Sequence, residues 1–273
     1  MAWFERIKKW WQPQAPEPRK VGLVLSGGGA RGIAHLGVLQ VLHEQQIPVD
    51  YVAGTSAGAL CGAFFAAGLE PRTAYEAIKD QGFFSLTRLR WPRLGLFEPT
   101  AIEEMLREHI PIEKLEELPI PLTVTVANLL AGKVESRPQG PLVETLLASA
   151  SIPFVFRPTQ LEGAPFADGG IFDNFPIGPL QGCCDVVIGV NVNPIETLPE
   201  LSNTRQLMAR AFSLVLNSQL PEKRKQVDFF LQPDGLEEFS ILDLGKAEAI
   251  YNRGYEAAQK VDWQRVLDPT HEA

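Results

Sequence analysis

The sequence predicts an α/β protein built on an open, mostly parallel sheet with helices on both faces. Three features point there. Short runs of valine, leucine and isoleucine alternate with longer stretches of helical periodicity, and that alternation calls for crossovers between parallel strands. The first run, Val21–Ser26, is apolar almost throughout, as suits a strand buried on both faces. Twice, at Gly27–Gly32 and at Gly54–Gly58, a glycine-rich junction leads from such a run into a helical stretch.

Each element has its own signal. Within Ile33–Gln46, Ile33, Gly37, Val41 and Leu42 recur at helical spacing. Tyr51–Ala53 is a second strand, and Ala57–Ala67 an alanine-rich helix stopped by Gly68 and Pro71. Thr100 with Glu103 makes a capping-box pattern for a helix reaching His109. Leu122–Leu129 and Val134–Arg137 are strands about a turn at Gly132, followed by a helix over Leu142–Ser149. Phe166–Ala167 and Val186–Asn193 complete the strands, and Arg205–Ser218 and Lys246–Val261 are late helices.

Composition removes several functional classes. A chain of 273 residues, 45% hydrophobic and 21% charged, folds as one large domain or two small ones without staples. The net charge of −8 repels phosphate backbones, so no nucleic-acid partner is expected. Cys61, Cys183 and Cys184 form no disulfide framework and fit a reducing compartment. There is no CxxC or HxxxH pair and no GxxxxGK[ST] phosphate loop, so neither a metal nor a cofactor is expected. Without a secretory signal at the start, the expected address is cytoplasmic.

Residues 1–19 stand apart from a body spanning residues 20–273. Trp3, Phe4, Ile7, Trp10 and Trp11 recur at helical spacing, with Glu5, Arg6, Lys8 and Lys9 opposite, and Pro13, Pro16 and Pro18 follow as a tether. Residues 1–11 fit a peripheral helix on the inner face of a membrane, and they fit equally a helix packed on the protein's own body or on a partner subunit. Residues 51–69 carry no charge and include Gly58 and Gly62, so a transmembrane span competes with the strand–helix reading there.

Three segments carry chemistry. Gly27-Gly28-Gly29-Ala30-Arg31-Gly32 lies between strand and helix, where backbone N–H groups and the helix dipole favour a negative charge. Gly27, Gly29 and Gly32 also meet the dinucleotide spacing, but the acid in range, Asp50, precedes the second strand instead of ending it. Gly54-Thr55-Ser56-Ala57-Gly58 has the pattern of a nucleophile elbow, in which glycines flank a serine held on a sharp strand-to-helix turn. Asp168-Gly169-Gly170 puts a carboxylate at a strand end among backbone, against the plain reading of an Asp-Gly turn; Asp173 is a second, weaker candidate.

In that order, these segments resemble the motifs of the patatin-like phospholipases, and Ala148-Ser149 with Pro153 is similar to a further block of that family. The resemblance spans residues 20–195 and implies a three-layer α/β/α fold with a Ser–Asp dyad. It assigns Ser56 as nucleophile, Asp168 as base, and Gly27, Gly28, Gly29, Arg31 and Gly32 as the oxyanion hole. Gly54, Gly58, Gly169 and Gly170 support the elbow and the turn. The implied activity is hydrolysis of lipid acyl esters, with a phospholipid or lysophospholipid as the partner substrate.

Other readings stay open. His35, His43 and His109 fit surface or packing roles, while Ser56, Asp168 and His271 follow the chain order of an α/β-hydrolase triad. Phe83–Phe97, rich in bulky and basic residues, fits either a lid or an ordinary connection. Arg31 fits either a brace for its loop or a contact to a lipid phosphate. A nucleotide-binding protein and a non-catalytic regulator on the same fold are the rival functions.

Overall fold

The structure is a computed structural model that describes residues 19–80, 99–197, 200–241 and 243–268. The expectations for residues 1–18, for the segment 83–97 and for His271 lie outside these. Eight strands and nine helices are assigned among the described residues. The first half runs β1 (Val21–Leu25), α1 (Ile33–Glu44), β2 (Tyr51–Thr55), α2 (Ala57–Ala66), α3 (Pro71–Asp80) and α4 (Thr100–His109). Next come β3 (Leu122–Asn128), β4 (Lys133–Arg137), α5 (Leu142–Ser149), β5 (Thr159–Leu161), β6 (Ala164–Asp168) and β7 (Val186–Val190). The last part holds α6 (Thr204–Asn217), α7 (Leu220–Lys223), β8 (Phe229–Leu231), α8 (Ala247–Gln259) and α9 (Trp263–Leu267).

All eight strands form one sheet in the order β5-β6-β3-β2-β1-β7-β8, with β4 on β3. The run β3-β2-β1-β7-β8 is parallel throughout, while β4, β6 and β5 add antiparallel pairings beyond it. From β1 the chain steps to β2 and β3 on one side, then returns to β7 and β8 on the other. That reversal is where open α/β sheets present a crevice at their carboxyl ends.

Alternation along the buried strands divides two cores. Val21, Leu23 and Leu25 of β1 join Val52, Ile188 and Val190 on the face covered by the long helices. Val24, Ala53 and Val187 point the other way, onto Phe175, Ile177 and Leu180. The three layers are therefore unequal, one thick with helices and one thin with turns. Each fully buried leucine or valine contributes roughly 1.5–3 kcal/mol, so the thick face dominates the stability.

Two local expectations are corrected. Pro71 does more than follow a stop: it opens α3, because a proline at the first helical position gives up an N–H that would be unpaired anyway. The capping box at Thr100 does not form. Pro99 holds the cap position, Thr100 is already helical, and the Glu103 carboxylate accepts instead from Arg107 at 3.1 Å. Nor do residues 51–69 form one span; they are divided between β2 and α2. Among the described residues no helix is long and apolar enough to cross a membrane.

Candidate active site

One strand brings Ser56 and Asp168 together. β4 pairs with β3 from Val124 to Asn128, so every other neighbour of that stretch must lie on the opposite side. β2 pairs there up to Thr55 against Thr125, and antiparallel β6 pairs from Asn128 back to Asp168 against Val126. The two strands thus run head-on along the same side of β3 and end at adjacent rungs. Ser56 is the residue after Thr55, which explains how side chains 112 positions apart in sequence meet.

The serine sits on a strained turn. Ser56 has φ 53 and ψ −125, a conformation that costs on the order of 1–3 kcal/mol and survives only where its surroundings enforce it. A Cβ at Gly58 would stand 2.5 Å from the Ser26 carbonyl oxygen, and one at Gly54 would stand 2.7 Å from the Ala59 nitrogen. The end of α5 locks the turn. Ser56 N–H donates to Ser149 Oγ at 2.8 Å, and Ser149 Oγ–H donates to the Thr125 carbonyl at 2.7 Å. Two residues on, the Ser151 carbonyl accepts the Asp168 N–H at 2.9 Å, so one helix end holds both partners.

Asp168 is 4% exposed. Burial pushes its carboxyl up to about 6, against the opposing pull of hydrogen bonds from the Ser56 hydroxyl and the Gly170 N–H. The Gly170 N–H donates to Asp168 Oδ1 at 2.7 Å, while Gly169 lies against the Thr125 carbonyl where a side chain would not fit. A group titrating near 6 remains largely a carboxylate at pH 7 and is a stronger base than an ordinary aspartate.

The glycine loop covers the serine. A Cβ on Gly27 would come within 3.2 Å of Ser56 Cβ. The expectation that the whole loop donates to an oxyanion narrows to two amides once its hydrogen bonds are traced. Gly27 N–H goes to the Asn174 carbonyl at 3.1 Å, Ala30 N–H to the Ile241 carbonyl at 2.8 Å, and Arg31 N–H to the Gly28 carbonyl at 3.2 Å. Gly32 closes the turn against Ala57. The N–H groups of Gly28 and Gly29 have no partner among the described residues, and both glycines border a small pocket shared with Ser56 and Asp168.

Arg31 is a brace, not a donor to the site. Its Nε–H donates to the Phe239 carbonyl at 2.7 Å and its Nη2 to the Glu237 carbonyl at 3.4 Å. The remaining candidates are occupied elsewhere. Asp173 pairs with Lys223 and accepts the Phe175 N–H at 3.2 Å. Asp50 accepts the Val21 N–H at 2.7 Å, which removes it from any ribose role. His35 is buried and pushed down to about 4 by desolvation, its Nε2–H donating to the Ser26 carbonyl at 2.8 Å. His43 is exposed, and His109 caps its own helix through the Met105 carbonyl at 3.0 Å.

From Ser56 an apolar cleft runs between α1, α2, α3 and α4. Ile33, Leu60, Ile78, Ile102, Met105 and Ile152 line it. Its dimension of interest is chemical: hydrocarbon fits there and charge does not. Cys61 also borders it, but burial raises its thiol to about 12 and leaves it inert as a nucleophile.

Sequence reading missed Ser149 as the acceptor for Ser56 N–H, and missed Asn174, whose side chain borders the small pocket. It also left residues 196–273 without a role, although residues 237–241 clasp the glycine loop. The family resemblance singles out Ala148-Ser149 with Pro153 but gives Ser149 no role, and the one further signal there is a polar residue after the apolar Leu146-Leu147-Ala148.

An elbow serine against a buried carboxylate, under free backbone amides and beside an apolar cleft, is an arrangement suited to acyl transfer. The chain belongs to the patatin-like phospholipase family, whose pattern matches residues 23–180. An uncharacterized NTE family protein of Mycobacterium tuberculosis is 38% identical over 184 residues, 66% of this chain and 51% of that one. Lysophospholipase NTE1 of Saccharomyces cerevisiae is 28% identical over 281 residues, 90% of this chain and 16% of that one. The chain thus spans about half the length of the mycobacterial relative and far less of the yeast one. VipD from Legionella pneumophila shares the fold, with a TM-score of 0.50 at 15% identity over 94% of this chain and 68% of that one.

Proposed function

We propose that the protein is a serine hydrolase that cleaves acyl esters of phospholipids or lysophospholipids through Ser56 and Asp168. The observation that carries this reading is that Ser56 and a buried Asp168, its carboxyl raised to about 6 by desolvation, line one small pocket at the mouth of an apolar cleft. The printed activity of the yeast relative, a lysophospholipase, supports the substrate class.

In this mechanism Asp168 takes the Ser56 proton as Oγ attacks the ester carbonyl carbon. The oxyanion that forms lies against the Gly28 and Gly29 N–H groups, each such donor contributing about 3 kcal/mol to the transition state. Collapse breaks the ester C–O bond, and protonated Asp168 returns its proton to the departing alkoxide. Water then attacks the acyl-Ser56 carbonyl with Asp168 again as base, releasing the fatty acid and restoring the hydroxyl. The acyl chain occupies the Ile102–Met105 cleft throughout. Among the described residues neither pocket that Ser56 lines includes a histidine, and the proposed steps use none.

A fluorophosphonate probe tests the reading. Wild type should label covalently and Ser56→Ala should not. Equal labelling of the two, or wild type that neither labels nor hydrolyses any chain length, would return the protein to the class of non-catalytic regulators.

A further inference from the structure

We propose that Asn193 is a positioning residue for the oxyanion site: by holding the Gly27 carbonyl, its side-chain amide aims the Gly28 N–H at the Ser56 hydroxyl. The inference rests on the hydrolase reading above and deepens it. Asn193 lies beyond the family-matched residues 23–180, and it is 166 residues from the loop it holds.

Three consecutive glycines are a poor platform for catalysis. Gly27-Gly28-Gly29 has no side chain to bar rotation of its peptide planes. A flipped Gly27–Gly28 plane would present a carbonyl oxygen where the oxyanion must form, replacing attraction with repulsion. Something outside the loop has to choose the orientation.

The buried Asn193 side chain does so. It is 3% exposed, and its Nδ2–H donates to the Gly27 carbonyl. In a trans peptide the C=O and the following N–H point in opposite directions, and the described chain has no cis peptide. Drawing the Gly27 oxygen toward Asn193 therefore turns the Gly28 N–H away from Asn193, and Gly28 borders the pocket containing Ser56 and Asp168. The next plane is held in the same manner, because the Gly28 carbonyl accepts the Arg31 N–H at 3.2 Å, which leaves the Gly29 N–H free on the opposite side.

The sheet brings Asn193 alongside the Gly27–Gly28 peptide. β7 pairs with β1 up to Val190 against Leu25, and the two chains continue side by side beyond the strands. Ser26 N–H donates to the Val190 carbonyl at 3.1 Å, and Val192 N–H donates to Ser26 Oγ at 3.0 Å. Asn193 N–H then leans on Asn191 Oδ1 at 3.4 Å. An aspartate at 193 would have the same shape but, ionised, would offer an acceptor to a carbonyl, so the donor itself is what the position demands.

The experiment compares Asn193→Ala and Asn193→Asp with wild type in fluorophosphonate labelling rate and in turnover of a p-nitrophenyl ester. The expected result for Asn193→Ala is a kcat at least tenfold lower, bounded by the ~10²–10³ that deleting one oxyanion donor removes. KM should stay within about threefold, and the low-pH midpoint of activity should stay near 6, since Asp168 is untouched. Labelling should slow in parallel, and Asn193→Asp should lose at least as much above pH 7. If Asn193→Ala does not fold, Asn193→Ser, which keeps a shorter donor, is read by the same criteria. Labelling and kcat equal to wild type, a loss confined to KM, or a displaced pH midpoint would overturn the inference while leaving the hydrolase reading standing. Wild type that takes no label would overturn both.

Discussion

Replacing Asp168 by asparagine should make the protein more stable and nearly inactive at once. The carboxyl has an ordinary value of 3.8 and is raised to about 6 by burial. A shift of about two units corresponds to roughly 3 kcal/mol by which the ionised side chain destabilises the fold. The direction follows from the raised value. Below about 4 both folded and unfolded chains carry the protonated acid and the penalty is absent; it grows as pH rises to about 6 and is complete above that. Asparagine keeps an oxygen for the Gly170 N–H and carries no charge, so it relieves much of that penalty, less its own cost as a buried amide. For a chain of this size 1 kcal/mol moves Tm by roughly 2–4 °C, so Asp168→Asn should melt several degrees above wild type at pH 8. At pH 5 the gain should be about half as large. Turnover should fall ~10²–10⁴-fold with the base removed. Thermal melts of both proteins at the two pH values, with ester hydrolysis alongside, measure all of this. A variant no more stable than wild type at pH 8, or a gain that does not depend on pH, would refute the reasoning.

Further outcomes follow from the same geometry. Wild-type kcat/KM should decline about tenfold per pH unit below about 6, because the ionised form of Asp168 is the active one; a flat profile from pH 5 to 8 would contradict its role as base. Gly58→Ala should lower stability by roughly 1–3 kcal/mol, since its methyl would stand 2.5 Å from the Ser26 carbonyl and neither backbone can yield; urea melts check it. Ser149→Ala strips the acceptor from a buried Ser56 N–H, which should cost about 1–3 kcal/mol in urea melts and slow fluorophosphonate labelling. Leu60→Trp should fill part of the apolar cleft and shift preference toward shorter esters, by about fourfold in kcat/KM for each methylene displaced, read from a series of p-nitrophenyl esters.

Much of the architecture was legible because its signals are local. Val21–Leu25 could hardly be anything but a buried strand, and the glycines around Ser56 mark the clash with Ser26 and Ala59 that the folded elbow contains. The Ser56–Asp168 contact was not legible from spacing, since it depends on which rungs of β3 the ends of β2 and β6 reach. Pro71 misled because one residue type both ends helices and begins them. Ser149 meets distant backbone through two hydrogen bonds and the Asn193 side chain through one, and a lone hydroxyl or amide in an apolar run does not say which backbone groups it will meet. Thr100 and Glu103 had the right spacing for a cap, but the helix began one residue too early.

The clasp of residues 237–241 on the glycine loop makes the chain's tail end a structural partner of its beginning. Ala30 and Arg31 hang from carbonyls supplied by Ile241, Phe239 and Glu237, and α8, which comes soon after, packs along α1, the helix that the loop opens. A fragment cut after residue 180 would retain the serine, the aspartate and every glycine of the motifs, yet the turn would be unlaced from its far anchor. The geometry of the glycine loop is thus set in part by residues some two hundred positions further along the chain.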